Sequence, residues 1–70
     1  MSNPTAQAFK EKGNKAFQEK NYQEAIEHFT KAIEADPNDH VFYSNRSACY
    51  ASLQNYESAL QDAHKCVELR

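Results

Sequence analysis

The sequence has 70 residues, a formal net charge of −2, 40% hydrophobic residues and 26% charged residues. A chain of this size holds one small domain and buries only about 60% of its unfolded surface, so it needs very regular packing. The mild charge argues against a broad nucleic-acid-binding surface, and one Gly with two Pro leaves little material for turns, which favours long helices over a β-rich fold.

Met1-Ser2-Asn3-Pro4-Thr5 has neither the basic start nor the apolar run of a signal peptide. No apolar stretch approaches a membrane-spanning length. Cys49 and Cys66 do not make a disulfide framework and read as packed thiols in a reducing compartment. A cytoplasmic protein without membrane or nucleic-acid partners is expected.

The first helix is expected over Thr5–Lys20, with Pro4 in its first turn and Asn3 as its cap. The second is expected over Tyr22–Ala35, where Asn21 followed by Glu24 has the spacing of a capping box. Its apolar residues Ala25, Ile26, Phe29, Ala32 and Ile33 fall on one helical face. Pro37 forces Asp36 out of helical geometry and ends it. The third helix is expected over His40–Leu53. The fourth is expected over Tyr56–Leu69, with Ala59, Leu60, Ala63 and Val67 on one face.

A shift of 34 residues superposes the two halves. Asn21 falls on Asn55, Tyr22 on Tyr56, Ala25 on Ala59, Lys31 on Lys65 and Glu34 on Glu68. Similar pairs fill the gaps: Phe9 with Tyr43, Lys12 with Arg46, Ile26 with Leu60 and Ile33 with Val67. The organisation expected is a lead-in over residues 1–5, one repeat over 6–39 and a second over 40–70, each a pair of helices.

The spacing of Phe9, Gly13, Ala16, Tyr22, Ala25, Phe29, Ala32 and Pro37 resembles the tetratricopeptide repeat. The second unit places Tyr43, Ser47, Tyr50, Tyr56, Ala59, Ala63 and Cys66 at the same positions, with Ser47 replacing the glycine and Cys66 an alanine. The resemblance implies an all-α fold of two tandem helical hairpins, a fragment of a right-handed α-solenoid, and a non-enzymatic protein-binding role. In that family the first helix of each repeat lines the concave face. Here Lys10, Lys12, Lys15, Lys20 and Arg46 outnumber Glu11 and Glu19 on those helices, while acids dominate the second and fourth. Such a groove favours an anionic ligand.

Within the repeats, Lys10-Glu11-Lys12-Gly13-Asn14-Lys15-Ala16 and Tyr43-Ser44-Asn45-Arg46-Ser47-Ala48 resemble the carboxylate-clamp motifs of the co-chaperones that organise heat shock proteins 70 and 90. The wider segments around them resemble the first repeat domain of that family, and the Met1 start suits an N-terminal domain. The resemblance implies that Lys10, Asn14 and Asn45 grip the carboxylates of a C-terminal Glu-Glu-Val-Asp tail. It further implies a preference for the heat shock protein 70 tail, with heat shock protein 90 as the other partner. Lys10 and Asn14 are four residues apart, which puts them on one helix face. An ammonium supplies charge and each Asn amide supplies donors. Phe17, Ala48 and Ala51 are the expected apolar groove lining.

The clamp is expected to be partial, because the family's further basic residues lie on a third repeat that these residues do not include. Alone, Lys10 is a solvated surface lysine; beside Asn14 and Asn45 it reads as a clamp residue. Arg46 reads as an interhelical ion-pair partner rather than a ligand contact. Tyr22, Phe29, Tyr50 and Tyr56 read as packing residues. His28, His40 and His64 have no metal-like spacing, no glycine-rich phosphate loop is present, and the acids fall on polar helix faces, so no cofactor, metal or catalytic group is expected. The fourth helix should carry an apolar edge at Leu60, Ala63 and Val67, so a homodimer or higher oligomer is expected. A self-assembling repeat that retains no ligand is the competing function; there Lys10 and Asn14 could be replaced without consequence.

Overall fold

The computed structural model describes residues 3–70; the first two residues of the expected lead-in lie outside the described residues. Four helices follow one another: α1 (Pro4–Gln18), α2 (Tyr22–Ala35), α3 (His40–Ser52) and α4 (Tyr56–Leu69). No strand occurs among the described residues. α1 and α2 form one hairpin, α3 and α4 a second, and α3 packs on α2 to stack them as a right-handed solenoid fragment.

Side-chain size sets how closely the helices approach. Ala16, Ala25, Ile26, Phe29 and Cys49 form one buried cluster that joins α1, α2 and α3, flanked by Phe17 and Tyr50. Ala6, Ala32 and Phe42 form a second, flanked by Phe9, Ile33 and Ala35. Gly13 lies against the Phe29 ring: a Cβ built there would stand 2.6 Å from Phe29 Cε1, so any side chain must displace a fully buried ring.

The caps differ in detail. The Asn3 carboxamide oxygen accepts from Ala6 N–H at 3.1 Å, and its amide donates to the Ala35 carbonyl at 2.9 Å, tying the start of α1 to the end of α2. Asp39 caps α3 by accepting from Val41 N–H at 3.0 Å. Asp36 leaves helical geometry at φ −148° and ψ 88°, as a residue before proline should. The capping box expected at Asn21 does not form, because the Asn21 side chain makes no capping hydrogen bond. Its counterpart Asn55 accepts from Ser58 N–H at 3.4 Å.

The first helix ends two residues before the expected Lys20. Lys20 adopts φ 64°, and Asn21 N–H donates back to the Ala16 carbonyl at 2.8 Å, the left-handed closure that usually employs glycine. The second hairpin repeats it with Gln54 at φ 63° and Asn55 N–H on the Tyr50 carbonyl at 2.8 Å. Tyr56, expected to pack, is 65% exposed. Its counterpart Tyr22 meets the Phe17 ring edge-on at 5.3 Å, but the residue in Phe17's place is Ala51, which has no ring to offer.

Candidate peptide-binding site

The two hairpins bring their first helices, α1 and α3, side by side. Asn14 on α1 and Asn45 on α3 meet across this seam: Asn45 Nδ2 donates to Asn14 Oδ1 at 3.4 Å. Both residues line a depression of about 90 Å³ whose walls and floor are Phe17, Phe29 and Ala48. Each Asn keeps amide hydrogens beyond this contact, so a polar rim stands over an apolar floor. A small aliphatic group fits such a space, and an acceptor at its edge can take the amide hydrogens.

Lys10 lies one turn before Asn14 on the same face of α1. It does not line the depression, and among the described residues it makes no ion pair. Phe17 and Ala48 line the depression; Ala51 is exposed one turn further along α3 and does not. Phe29, expected only in the core, is a lining residue as well. The signal for its second role is Gly13, whose missing side chain leaves room for the ring against α1.

Arg46 points away from this seam. Its Nε and Nη2 each donate to the Asp62 carboxylate at 2.8 Å, and its Nη1 donates to Thr30 Oγ1 at 3.1 Å. The guanidinium stacks near Tyr43 and Tyr50, each centroid 5.9 Å away. One side chain thus ties α2, α3 and α4. The hydrogen bonds to Asp62 raise the guanidinium's already high pKa, against the lowering effect of its burial. Asp62 is buried, which corrects the expectation that every acid lies on a polar face. No group of three His, Cys, Asp or Glu able to hold a metal occurs among the described residues. Among the described residues no helix is long and apolar enough to cross a membrane.

Comparison with known proteins gives consistent matches. A tetratricopeptide repeat family model matches residues 6–39, and a second matches residues 28–61. The heat shock protein sti1 homolog of Schizosaccharomyces pombe is 55% identical over 65 residues, covering 93% of this chain and 11% of that protein. The Hsp70-Hsp90 organising protein of Plasmodium falciparum is 51% identical over 65 residues, covering 93% of this chain and 26% of that sequence. The chain therefore spans a small part of the relatives it matches. Among solved structures, the first TPR of Spaghetti (RPAP3) bound to the HSP90 peptide SRMEEVD superposes with a TM-score of 0.96 at 37% identity, covering 100% of this chain and 56% of that one. The Arabidopsis OM64 TPR domain superposes with a TM-score of 0.93 at 30% identity, covering 94% of this chain and 55% of that one.

Proposed function

The chain belongs to the tetratricopeptide repeat family, a non-enzymatic protein-interaction fold, and we propose that it is a cytoplasmic co-chaperone module that binds the acidic C-terminal tail of heat shock protein 70, and of heat shock protein 90, through a partial carboxylate clamp. The observation that carries this reading is the Asn14–Asn45 pair over the depression floored by Phe29, with Lys10 free one turn away. Lys10 would supply the charge for the terminal carboxylates, and Asn14 and Asn45 the amide donors. Phe17, Phe29 and Ala48 would receive an aliphatic side chain of the tail. Hydrogen bonds to a charged group contribute about 1.5–3 kcal/mol each, enough for three donors to fix the end of a flexible peptide. The peptide bound to the RPAP3 neighbour ends in the same four residues expected for the tail.

Titration with a peptide ending in Glu-Glu-Val-Asp tests this reading, with a free or an amidated C-terminus. The free acid should bind, the amide should not, and salt and Lys10→Ala should each weaken binding. Equal binding of the two peptides, or of neither, rejects the clamp.

A second reading, a self-assembling repeat without a ligand, is favoured by one observation: Leu60 and Val67 on α4 are exposed. It predicts that Lys10→Ala and Asn14→Ala change nothing measurable.

A further inference from the structure

The two ends of this short stack differ in chemistry. On α2, the face formed by Ile26, Phe29 and Ile33 is covered by α3, and Ile26 is only 7% exposed. The same positions on α4 are Leu60, Ala63 and Val67, and nothing covers them: Leu60 is 61% and Val67 65% exposed. With His64 they line an apolar groove of about 270 Å³.

A second copy could cover this groove in two ways. Head to tail, its α1 would lie on α4 as α3 lies on α2. The α3 residues that face α2 are Phe42, Arg46 and Cys49; the corresponding α1 residues are Ala8, Lys12 and Lys15, all exposed. Burying Lys15 where Cys49 sits would strand a charge in an apolar cluster. The outer face of α1 therefore does not fit the groove.

The α4 face itself does. Tyr56, Leu60, Ala63 and Val67 recur at intervals of four, three and four, the seam of a two-helix coiled coil. In an antiparallel pair this seam matches large against small. Leu60 of one copy lies over Ala63 of the other, and Tyr56 over Val67, each contact made twice about the two-fold axis. Glu57 and His64 flank the seam on the side away from α3, seven residues apart. Antiparallel pairing sets Glu57 of each copy near His64 of the other, an acceptor beside a donor, again twice.

We propose that the uncovered face of α4 pairs with α4 of a second copy of this chain, antiparallel, to form a closed dimer. The inference does not depend on the clamp, since no seam residue lines the α1–α3 groove. A single 14-residue helix offers a patch about 21 Å long, at the low end for a specific interface, so the dimer is reversible and concentration-dependent.

Light scattering or sedimentation over a hundredfold range of concentration tests it. Mass should rise from 8.0 kDa toward twice that value and then level off. Leu60→Glu, at an exposed position, should hold the mass at 8.0 kDa while its circular dichroism stays helical. Orientation is read by cross-linking on a Cys66→Ser background. Tyr56→Cys mixed with Val67→Cys should give the mixed disulfide in preference to either homodisulfide. A constant monomer mass overturns the proposal and leaves the face to a helix of a longer chain or to another protein. Growth beyond twice the monomer mass overturns the closed dimer, and preferential homodisulfides overturn the antiparallel seam.

Discussion

The two hairpins share a backbone plan but are held by different chemistry. In the first, Gly13 removes a side chain so that Phe29 can fill the crossing of α1 and α2. In the second, the same positions are Ser47 and Ala63: the ring is gone, and the Ser47 hydroxyl donates to the Ala59 carbonyl at 2.7 Å. One register further, Lys12 and His28 of the first hairpin face solvent and the Phe9 ring, with Lys12 Nζ 5.4 Å from its centroid. Their counterparts Arg46 and Asp62 form a bidentate pair joined by Thr30. The crossing within a repeat can therefore be held either by a ring in a glycine notch or by polar contacts. Only the first solution leaves an aromatic floor under the groove.

The largest effect should come from removing the ring. Phe29→Ala should cost about 3–5 kcal/mol in urea denaturation, a typical loss for a fully buried aromatic. Gly13→Ser alone should also destabilise, by about 1–3 kcal/mol, because its Cβ meets the ring. The combination rebuilds the solution of the second hairpin inside the first, so the double variant should be more stable than the two losses added together. Strict additivity would mean that notch and ring do not interlock.

The polar staple comes next. Asp62→Ala leaves the Arg46 guanidinium half-buried without its main partner and should cost about 2–4 kcal/mol. The matching change in the first hairpin, His28→Ala, removes a ring whose Nδ1 is buried without a partner, and should cost markedly less. Lys12→Ala should stay within about 0.5 kcal/mol. Thermal unfolding of the three variants measures the contrast; equal losses at positions 28 and 62 would erase it.

Smaller again is the effect of Cys49, whose counterpart in the first hairpin is the exposed Lys15. Burial pushes the Cys49 thiol up from its ordinary 9.0 to about 11. A raised folded-state pKa means that the folded chain holds this proton more tightly than the unfolded chain does. The stability it contributes is present in full below pH 9.0 and is lost as pH rises toward about 11. At pH 10 the loss is on the order of 1.4 kcal/mol. Cys49→Ala should flatten this part of the stability curve relative to the native chain.

These differences also mark what the sequence made legible. The bounds of α2 and α4 follow from Asn at each start, Pro37 after α2 and the apolar period between. The ends of α1 and α3 do not, because the left-handed closures use Lys20 and Gln54, residues with no sequence signature for positive φ. The Asn14–Asn45 seam was readable through the resemblance alone; helical period places Lys10 and Asn14 on one face but cannot bring α3 beside α1. Arg46 was readable as an ion-pair partner, but not the choice of Asp62 among the acids, since its repeat counterpart is a histidine.

Tyr56 is the remaining case, and it offers the finest test of the comparison. The Asn-Tyr start is the same in both hairpins, yet Tyr22 has an aromatic partner and Tyr56 has none. Whether a repeat tyrosine packs is therefore decided five residues earlier, at Phe17 or Ala51. Ala51 is exposed, so Ala51→Phe meets no steric barrier and rebuilds the first hairpin's pair in the second. An edge-on aromatic contact at the surface should add about 0.5–1 kcal/mol, part of it offset by the lower helix propensity of Phe than of Ala within α3. The gain should appear as a small rise in Tm, and as a fluorescence change of Tyr56 against a Tyr56→Leu control. The same gain in the control would assign it to the added apolar surface alone, and the pairing rule would fail.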